Sequence, residues 1–272
     1  MNFPFPLIKV STFLLLLLSS ISFGDMVLIS DAFGGLSSET LNGTDAGVFS
    51  SEITAAGGSA TWVASDDFRA DGSMVGTESD SALLYLGSYI NDRKGTAVGK
   101  FSLTATLDPL TGAGVAGGDF LSLGFFVGAI ATDDDFASDG TQARATAITR
   151  VSSDSGDYFN GPGASGGANA INGVGLRTYT IVLDFTLESG YNGVTHNGTV
   201  TYHSDNDGGI PHSYTFSGVQ NLEYIGITRD DGVLGGFSGF ELRQIPEPSS
   251  LLLIFATGMG LVVLRRRLLS LR

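Results

Sequence analysis

The sequence TYTIVLDFTLE at residues 178–188 decides the fold of this chain. Every second residue in it is apolar, and the residues between them are mostly polar. A period of two places the apolar side chains on one face of a β-strand, where they can be buried together. The apolar residues are Tyr179, Ile181, Leu183, Phe185 and Leu187.

The same alternation recurs along the chain and predicts an all-β protein. No segment of ten or more residues between the two chain ends carries a helical stripe of apolar residues. We expect roughly ten strands, packed as a two-sheet jelly-roll sandwich. Strands are predicted at residues 82–86, 101–107, 121–127, 143–151, 178–188, 199–203, 213–216, 222–228 and 237–242, with turn-rich spacers at 108–119, 133–140, 152–173 and 204–211.

Composition limits the chemistry of the central segment, residues 25–244. It contains nine Lys and Arg against 27 Asp and Glu, a formal charge of −18. Nucleic acid is not expected as a partner, because binding it requires a basic surface. Cysteine is absent, which excludes thiol catalysis and cysteine-ligated metals and leaves stability to the apolar core.

Residues 1–24 have the pattern of a signal peptide for export. Lys9 is the only charged residue among them, and an apolar segment with five consecutive leucines follows at residues 10–18. Ser22 and Gly24 are small residues at positions −3 and −1 of a cleavage site after Gly24. Cleavage after Ser22 is an alternative. Another is retention of the segment as an anchor, for which its apolar part is short.

The C-terminal segment, residues 245–272, begins with a stiff turn and continues as an apolar run. Pro246-Glu247-Pro248 is expected to be extended and accessible, because each proline fixes φ and lacks a backbone donor. Two serines and the uncharged residues 251–264 follow. Such a run enters a bilayer as a helix, which we place at about 249–264.

This apolar run is followed by Arg265, Arg266 and Arg267. Three arginines stop translocation, and the positive-inside rule keeps them in the cytoplasm. A helix of 14 residues is about 21 Å long, against about 30 Å for the hydrocarbon core, so a transient anchor fits the run better than a permanent one. The alternative is a buried helix of the domain, but such a helix should be amphipathic.

The ordered combination of Pro-Glu-Pro, a short transmembrane segment and a C-terminal arginine cluster resembles the PEP-CTERM sorting signal of Gram-negative bacteria. The resemblance implies an exported protein that its C-terminal helix holds transiently in the inner membrane. It also implies processing by an exosortase-type enzyme and a final location at the cell surface or outside the cell. Residues 268–272 extend past the arginines without changing the order. Sortase anchoring matches less well, since no Leu-Pro-x-Thr-Gly sequence is present.

The central segment also resembles the concanavalin A-like and laminin G-like jelly rolls in the order of its elements. This resemblance implies an architecture and no particular chemistry. It rests on Leu41-Asn42-Gly43, the lone Trp62, KFSLTATL at 100–107, LGFF at 123–126, YTIVLD at 179–184, YIGI at 224–227 and GFEL at 239–242.

The carboxylates do not have the spacing of a glycoside hydrolase, which needs two carboxyl groups about 5 Å apart. No two glutamates of the domain lie within ten residues of each other. Asp184 and Glu188 share a strand face, but the alternation places Asp184 toward solvent. We therefore predict that the protein is not an enzyme. The glutamates are Glu39, Glu52, Glu78, Glu188, Glu223 and Glu241.

Histidine and serine show no catalytic or zinc-binding pattern either. His196, His203 and His212 are separated by seven and nine residues, unlike the His-Glu-x-x-His motif. Ser165 lies in Gly-Ala-Ser-Gly-Gly without the strand and helix that flank a nucleophile elbow. We expect loop or edge positions for these residues.

Two acidic loops offer oxygen ligands for calcium. One is Asp133-Asp134-Asp135 and the other is Asp205-Asn206-Asp207. Calcium prefers several hard oxygen ligands on flexible backbone. We predict Asp133, Asp135, Asp205 and Asp207 as ligands, with solvated turns as the alternative. No other cofactor is expected.

These patterns favour a non-enzymatic, exported protein of the cell surface or extracellular matrix. A carbohydrate-binding module that holds exopolysaccharide through exposed aromatic residues is the alternative function. The candidate aromatic residues are Trp62, Tyr158 and Tyr191. A glycoside hydrolase is the third hypothesis, disfavoured by the missing carboxylate pair.

Overall fold

The computed structural model describes residues 25–96, 98–110, 119–135, 143–151, 158–159, 175–186, 196–205, 212–219 and 221–246. Residues Met26–Ile245 form one compact unit. Within the described ranges the unit consists of strands, one short helix, α1 (Ser51–Ala55), and a 3₁₀ turn at Asn91–Arg93. The strands are β1 (Met26–Asp31), β2 (Val48–Phe49), β3 (Gly57–Ala64), β4 (Ser73–Met74), β5 (Asp80–Gly87), β6 (Lys100–Leu110), β7 (Phe120–Phe126), β8 (Ala143–Arg150), β9 (Tyr158–Phe159), β10 (Arg177–Asp184), β11 (His196–Ser204), β12 (His212–Val219), β13 (Tyr224–Arg229) and β14 (Leu234–Gln244).

The described strands form two antiparallel sheets that pack face to face. The eight-stranded sheet has the order β12-β11-β10-β6-β14-β1-β2, with β4 paired to β14. The six-stranded sheet has the order β3-β5-β13-β7-β8-β9. Their inner faces share one apolar core. The all-β, two-sheet jelly-roll sandwich expected from the sequence is therefore confirmed.

The predicted strands are present, with small differences at their ends. Strand β6 continues through Pro109 to Leu110, beyond the predicted end at residue 107. Its neighbour β10 begins opposite Leu107, so the last residues of β6 have a paired strand on one side only. Proline is tolerated at such a position because no ladder bond is lost on the open side.

Strands β1 and β3 were not predicted, because irregular pairing interrupts their alternation. The register of β1 against β14 shifts between Val27 and Ile29, so the adjacent residues Leu28 and Ile29 are both buried. The register of β3 against β5 shifts between Ser59 and Val63. A bulge of this kind adds a residue and breaks the period of two from which strands are predicted.

Trp62 lies in the core and not on the surface, which corrects its prediction as an exposed sugar-binding residue. It is fully buried on the inner side of β3. Its indole N–H donates to Asp31 Oδ2 at 2.8 Å, and its ring lies 5.1 Å from that of Phe240. A tryptophan so placed has its polar atom satisfied inside the protein and stabilises the packing of the two sheets.

A buried ion cluster connects three parts of the fold: β13, the segment between β3 and β4, and the start of β5. The side chain of Arg229 is fully buried; its Nε donates to Asp80 Oδ2 at 2.7 Å and its Nη2 to Asp67 Oδ2 at 2.9 Å. Arg229 Nη2 also contacts Asp80. Burial raises the pKa of Asp80, and hydrogen bonds from Ser65 and the charge of Arg229 oppose that rise. One cation thus compensates carboxylates that could not stay charged alone in the interior.

The next residue, Asp230, has no such cation in contact among the described side chains. Burial, together with the charges of Asp135, Asp231 and Asp119, raises the pKa of Asp230 to about 6, against a smaller opposing effect of Arg150. In the unfolded chain an aspartate ionises near pH 4. Ionisation of Asp230 therefore costs the folded state stability as the pH rises from about 4 to about 6.

Replacing Arg229 by Met should lower the free energy of unfolding by about 3–5 kcal/mol, since it leaves the buried Asp80 without its cation. Chemical denaturation of the purified full-length chain measures the loss. Lys100→Met is the matched control, because Lys100 pairs with Asp184 at 3.1 Å on a half-exposed surface and should cost less than about 1 kcal/mol. Equal losses in the two variants would contradict the buried cluster.

Replacing Asp230 by Asn should make the protein more stable than the wild type above pH 6 and leave it unchanged below pH 4. A pKa of about 6 in the folded protein, against about 4 in the unfolded chain, limits the gain to about 3 kcal/mol, and partial exposure of Asp230 reduces it to about 1–2 kcal/mol. Melting temperatures measured over the range from about pH 3.5 to about pH 7.5 test this dependence. Asp66→Asn, which changes an exposed carboxylate, is the control for the substitution itself.

Candidate functional site

The domain ends where the predicted sorting segment begins. Strand β14 runs to Gln244, and the next residue, Ile245, still donates its N–H to the carbonyl oxygen of Lys100 at 2.8 Å. The Gln244 side chain donates to the carbonyl oxygen of Val98 at 2.7 Å. Pro246 has no N–H, so the ladder cannot continue through it. The sequence leaves the sheet at the first proline of Pro-Glu-Pro.

Most of the predicted sorting and export residues lie outside the described residues. These are Gly24 at the signal cleavage site, Glu247 and Pro248 of the turn, the apolar run at 249–264, and Arg265, Arg266 and Arg267. In the part of the chain that the structure describes, no helix is long and apolar enough to cross a membrane. The two predicted segments remain predictions from the sequence.

Two tyrosines lie side by side on the outer face of the six-stranded sheet. Tyr85 of β5 and Tyr224 of β13 are register partners, and their ring centroids are 4.9 Å apart with 40° between the ring planes. Both side chains are half-buried. The residues beside them on β3 are the exposed Ser59, which pairs with Tyr85, and Val63, which is 55 % exposed. We call Ser59, Val63, Tyr85 and Tyr224 the tyrosine patch.

The residue that follows Tyr224 on the same strand face is Gly226, where the two strands approach closely. A Cβ atom at Gly226 would lie 2.1 Å from the carbonyl oxygen of Ala82 and 2.7 Å from Leu83 Cδ2. No side chain can be placed there without moving the backbone of β5. Gly226 is buried, and the side chain of Leu83 occupies the space over it. Tyr224 therefore packs on this side against the apolar cluster to which Leu83 belongs.

The Tyr224 hydroxyl keeps its proton at neutral pH. Burial raises the pKa of Tyr224, and the nearby Tyr85 and Glu223 raise it further. A neutral phenol can both donate and accept a hydrogen bond. The patch thus combines aromatic ring surface with two phenol hydroxyls, which suits a ligand with C–H surfaces and hydroxyl groups.

The other predicted aromatic residues cannot be assigned to this patch. Tyr158 is in β9, but its side chain is outside the described part, as is all of Tyr191. Sequence reasoning missed Tyr85 and Tyr224, although a signal was present. That signal was partial: Tyr85 alternates with the buried residues Leu84 and Leu86, but Leu83, on the same face as Tyr85, is also apolar, so the period of two did not decide which face meets solvent.

The residues considered for catalysis are not brought together. Asp184 lies on the outer face of β10, as predicted, and pairs with Lys100; Glu188 is outside the described residues. His203 is half-buried in β11, and Ser165 lies outside the described part. His196 and His212 are in β11 and β12, at register positions opposite Val219 and Tyr202 respectively.

The first predicted calcium loop lies among the described residues, and the second extends beyond them. Asp133 is exposed, whereas Asp135 is 1 % exposed. Among the described side chains, no group of three His, Asp or Glu residues is arranged to hold a metal ion. Asp205 is exposed and Asp207 is not described, so calcium at either loop stays a prediction.

Comparison with solved structures finds low similarity over most of the domain. The VIP36 exoplasmic/lumenal domain, in a form bound to Ca²⁺ and mannose, is 9 % identical with a TM-score of 0.38, covering 63 % of this chain and 75 % of that one. Peanut lectin in complex with a nine-residue peptide is 12 % identical with a TM-score of 0.34, covering 63 % and 80 %. A human SPRY domain is 11 % identical with a TM-score of 0.32, covering 65 % and 91 %. None of these values transfers a function.

Comparison of the sequence gives one specific match. No curated protein matches the chain. Residues 244–267 match the PEP-CTERM protein-sorting motif, which begins at the last residue of β14. The motif indicates an exported protein that is anchored transiently at the membrane and sorted by exosortase. This chain thus carries a PEP-CTERM sorting motif directly behind a jelly-roll domain.

Proposed function

We propose that this protein is a non-enzymatic component of the cell surface or extracellular matrix, and that its β domain binds a neutral exopolysaccharide through the tyrosine patch. The observation that carries the proposal is the pair Tyr85 and Tyr224, held 4.9 Å apart on an outer sheet face. Two rings that share a sheet face keep their relative position without ordering a loop, which reduces the entropy lost on binding.

The charge of the domain supports a neutral ligand. With a formal charge of −18, it repels uronate-rich or sulfated polymers at the distances where encounter begins. Glu223 adds a carboxylate next to Tyr224. The ligand is therefore a polymer of neutral sugars, held by ring stacking and by hydrogen bonds to the tyrosine hydroxyls.

A binding role fits the patch better than hydrolysis does. Retaining hydrolysis needs two carboxyl groups about 5 Å apart, one of them with a raised pKa. No pair of carboxylates with that separation is established at the patch among the described residues. Activity on any glucan or galactan would nevertheless reverse this preference and favour the hydrolase hypothesis.

The sorting motif supplies the route by which the domain reaches its site. The N-terminal segment directs export, residues 251–264 hold the chain in the inner membrane, and the arginines stay in the cytoplasm. An exosortase-type enzyme then processes the chain near Pro246-Glu247-Pro248. Because Ile245 is still bonded to Lys100, that enzyme must act within a few residues of a folded sheet.

Replacing both Tyr85 and Tyr224 by Ala should weaken binding to a neutral polysaccharide by about tenfold, equivalent to ~1.4 kcal/mol. Affinity electrophoresis of the full-length chain in mild detergent, through gels that contain glucan, galactan or an oligouronate polymer, measures the effect. The double Phe variant should keep most of the affinity, since it retains the rings. Leu36→Ala, at a residue that is 63 % exposed elsewhere, is the surface control. Unchanged retention of the double Ala variant would refute the patch.

Replacing Pro246 and Pro248 by Ala should block processing, because the stiff extended segment that presents Glu247 is lost. Mass spectrometry of protein from membrane and extracellular fractions should find the wild type truncated near residue 247. The variant should stay in the membrane fraction with Arg272 intact, while Leu36→Ala is processed normally. A wild-type product that reaches its final location with Arg272 intact would show that no processing occurs.

A further inference from the structure

The eight-stranded sheet carries a hollow on its outer face that no part of the proposed function uses. It has a volume of about 350 Å³ and lies where β4, β6 and β14 meet. We propose that this hollow binds one or two residues of a neutral sugar chain, and that the domain thereby has two polysaccharide sites facing opposite directions. The proposal rests on the proposed function for its ligand class. We call the hollow the glycine bowl, defined by Asp71, Asp108, Leu110, Leu176, Gly235 and Gly236.

Glycine backbone forms the floor of the bowl, and the packing there allows no other residue. Gly235 has a φ of +127°, and a Cβ atom on it would lie 1.9 Å from the carbonyl oxygen of Asp108. Gly72 has a φ of +81°, and its Cβ would lie 2.3 Å from the carbonyl oxygen of Phe237. Since both positions must stay bare, the sheet surface is recessed at this point.

Strand pairing holds this floor in place before any ligand binds. Gly235 and Gly236 pair with Met74 and Ser73 of β4, and the Phe237 N–H donates to the carbonyl oxygen of Gly72 at 2.8 Å. On the other side, Gly235 and Gly236 pair with Pro109 and Asp108 of β6. A floor with neighbours on both sides is preorganised, which lowers the cost of binding.

Two carboxylates provide hydrogen-bond acceptors at the rim. Asp71 accepts from the Ser73 hydroxyl at 2.6 Å and from the Ser73 N–H at 3.0 Å, and these bonds lower the pKa of Asp71. Asp71 is therefore ionised and fixed in orientation at neutral pH. Asp108 is half-buried, and its side chain has no bonding partner among the described residues. Ionised carboxylates accept hydroxyl donors strongly.

Two leucines complete the rim with apolar surface. Leu110 is 53 % exposed and Leu176 is 54 % exposed, although leucine side chains are more often buried in a folded domain. Together with the carboxylates they offer what a sugar ring requires, namely acceptors for its hydroxyls and an apolar wall for its C–H groups. The negative charge excludes anionic sugars, and the volume is in the lower range of small-molecule sites.

Two binding sites on opposite outer faces allow the domain to contact two polymer chains at once. The tyrosine patch is on the six-stranded sheet and the glycine bowl is on the eight-stranded sheet. A domain with both can connect two polymer chains, or bind a folded network with more avidity than either site alone. The protein then acts as a cross-linker in a neutral polysaccharide matrix.

Site number and cross-linking are measured with variants that fill or strip each site separately. Ser238 lines the bowl and is exposed, so Ser238→Trp should fill it without changing the core. Ser37→Trp places the same side chain on an exposed loop elsewhere and is the matched control. Calorimetry with neutral hexasaccharides of glucan, galactan and mannan counts sites, and turbidity with the long polymers reports cross-linking. Melting temperatures confirm that each variant is folded.

We expect calorimetry to count two sites in the wild type and in Ser37→Trp, and one site in Ser238→Trp. Turbidity should develop with the wild type and with Ser37→Trp, but not with Ser238→Trp. Asp108→Asn should weaken binding at the glycine bowl by about tenfold and leave binding at the tyrosine patch unchanged. A single wild-type site that Ser238→Trp leaves intact would overturn the bowl and keep the tyrosine patch. A single site that Ser238→Trp abolishes, and that survives replacement of both tyrosines, would keep the bowl and overturn the patch. Absence of binding to every hexasaccharide would overturn both.

Discussion

The position of β14 in the middle of the eight-stranded sheet is the constraint on which the rest of the structure depends. This last strand pairs with β6 on one side and with β1, the first strand, on the other. Its apolar residues Phe237, Phe240 and Leu242 fill the centre of the core. Because β1 and β14 come from opposite ends of the domain sequence, the sheet can form completely only after the whole domain has been synthesised. Such a topology is rich in long-range contacts. The sorting motif starts where this strand stops, so domain and signal are joined without a spacer.

Close approach of backbones at glycine shapes both proposed ligand surfaces. Gly226 allows β13 to lie against β5 beneath the tyrosines, and Gly235 allows β14 to lie against Asp108 beneath the bowl. In each case the missing side chain is a packing requirement of the sheet. At Gly226 the side chain of Leu83 fills the space on the outer face, whereas at Gly235 and Gly236 the outer face keeps a hollow. Glycine in this sequence therefore serves close strand packing as well as turns.

Several of the few cations of the domain are paired with carboxylates, both in the core and at the surface. Arg229 is buried with Asp80 and Asp67, and Lys100 is paired with Asp184. The remaining acidic surplus keeps the domain soluble and apart from anionic polymers. Asp230 shows the limit of this arrangement, since it lies close to other carboxylates and its pKa is raised by burial. Binding of neutral sugars is compatible with such a surface, because it requires no cationic group on the protein.

The sequence by itself determined the all-β class, most of the strands and the sorting motif, because alternation and an ordered motif are local properties. It could not determine which aromatic residues face solvent. Trp62 and Tyr85 both occur in strands, and only the packing of β3 and β5 against the second sheet buries one and leaves the other half-exposed. Likewise, Asp133 and Asp135 are equivalent in the sequence, but only one of them is enclosed by the fold. Burial depends on elements distant in the chain, so the tertiary structure alone decided where ligand surfaces could form.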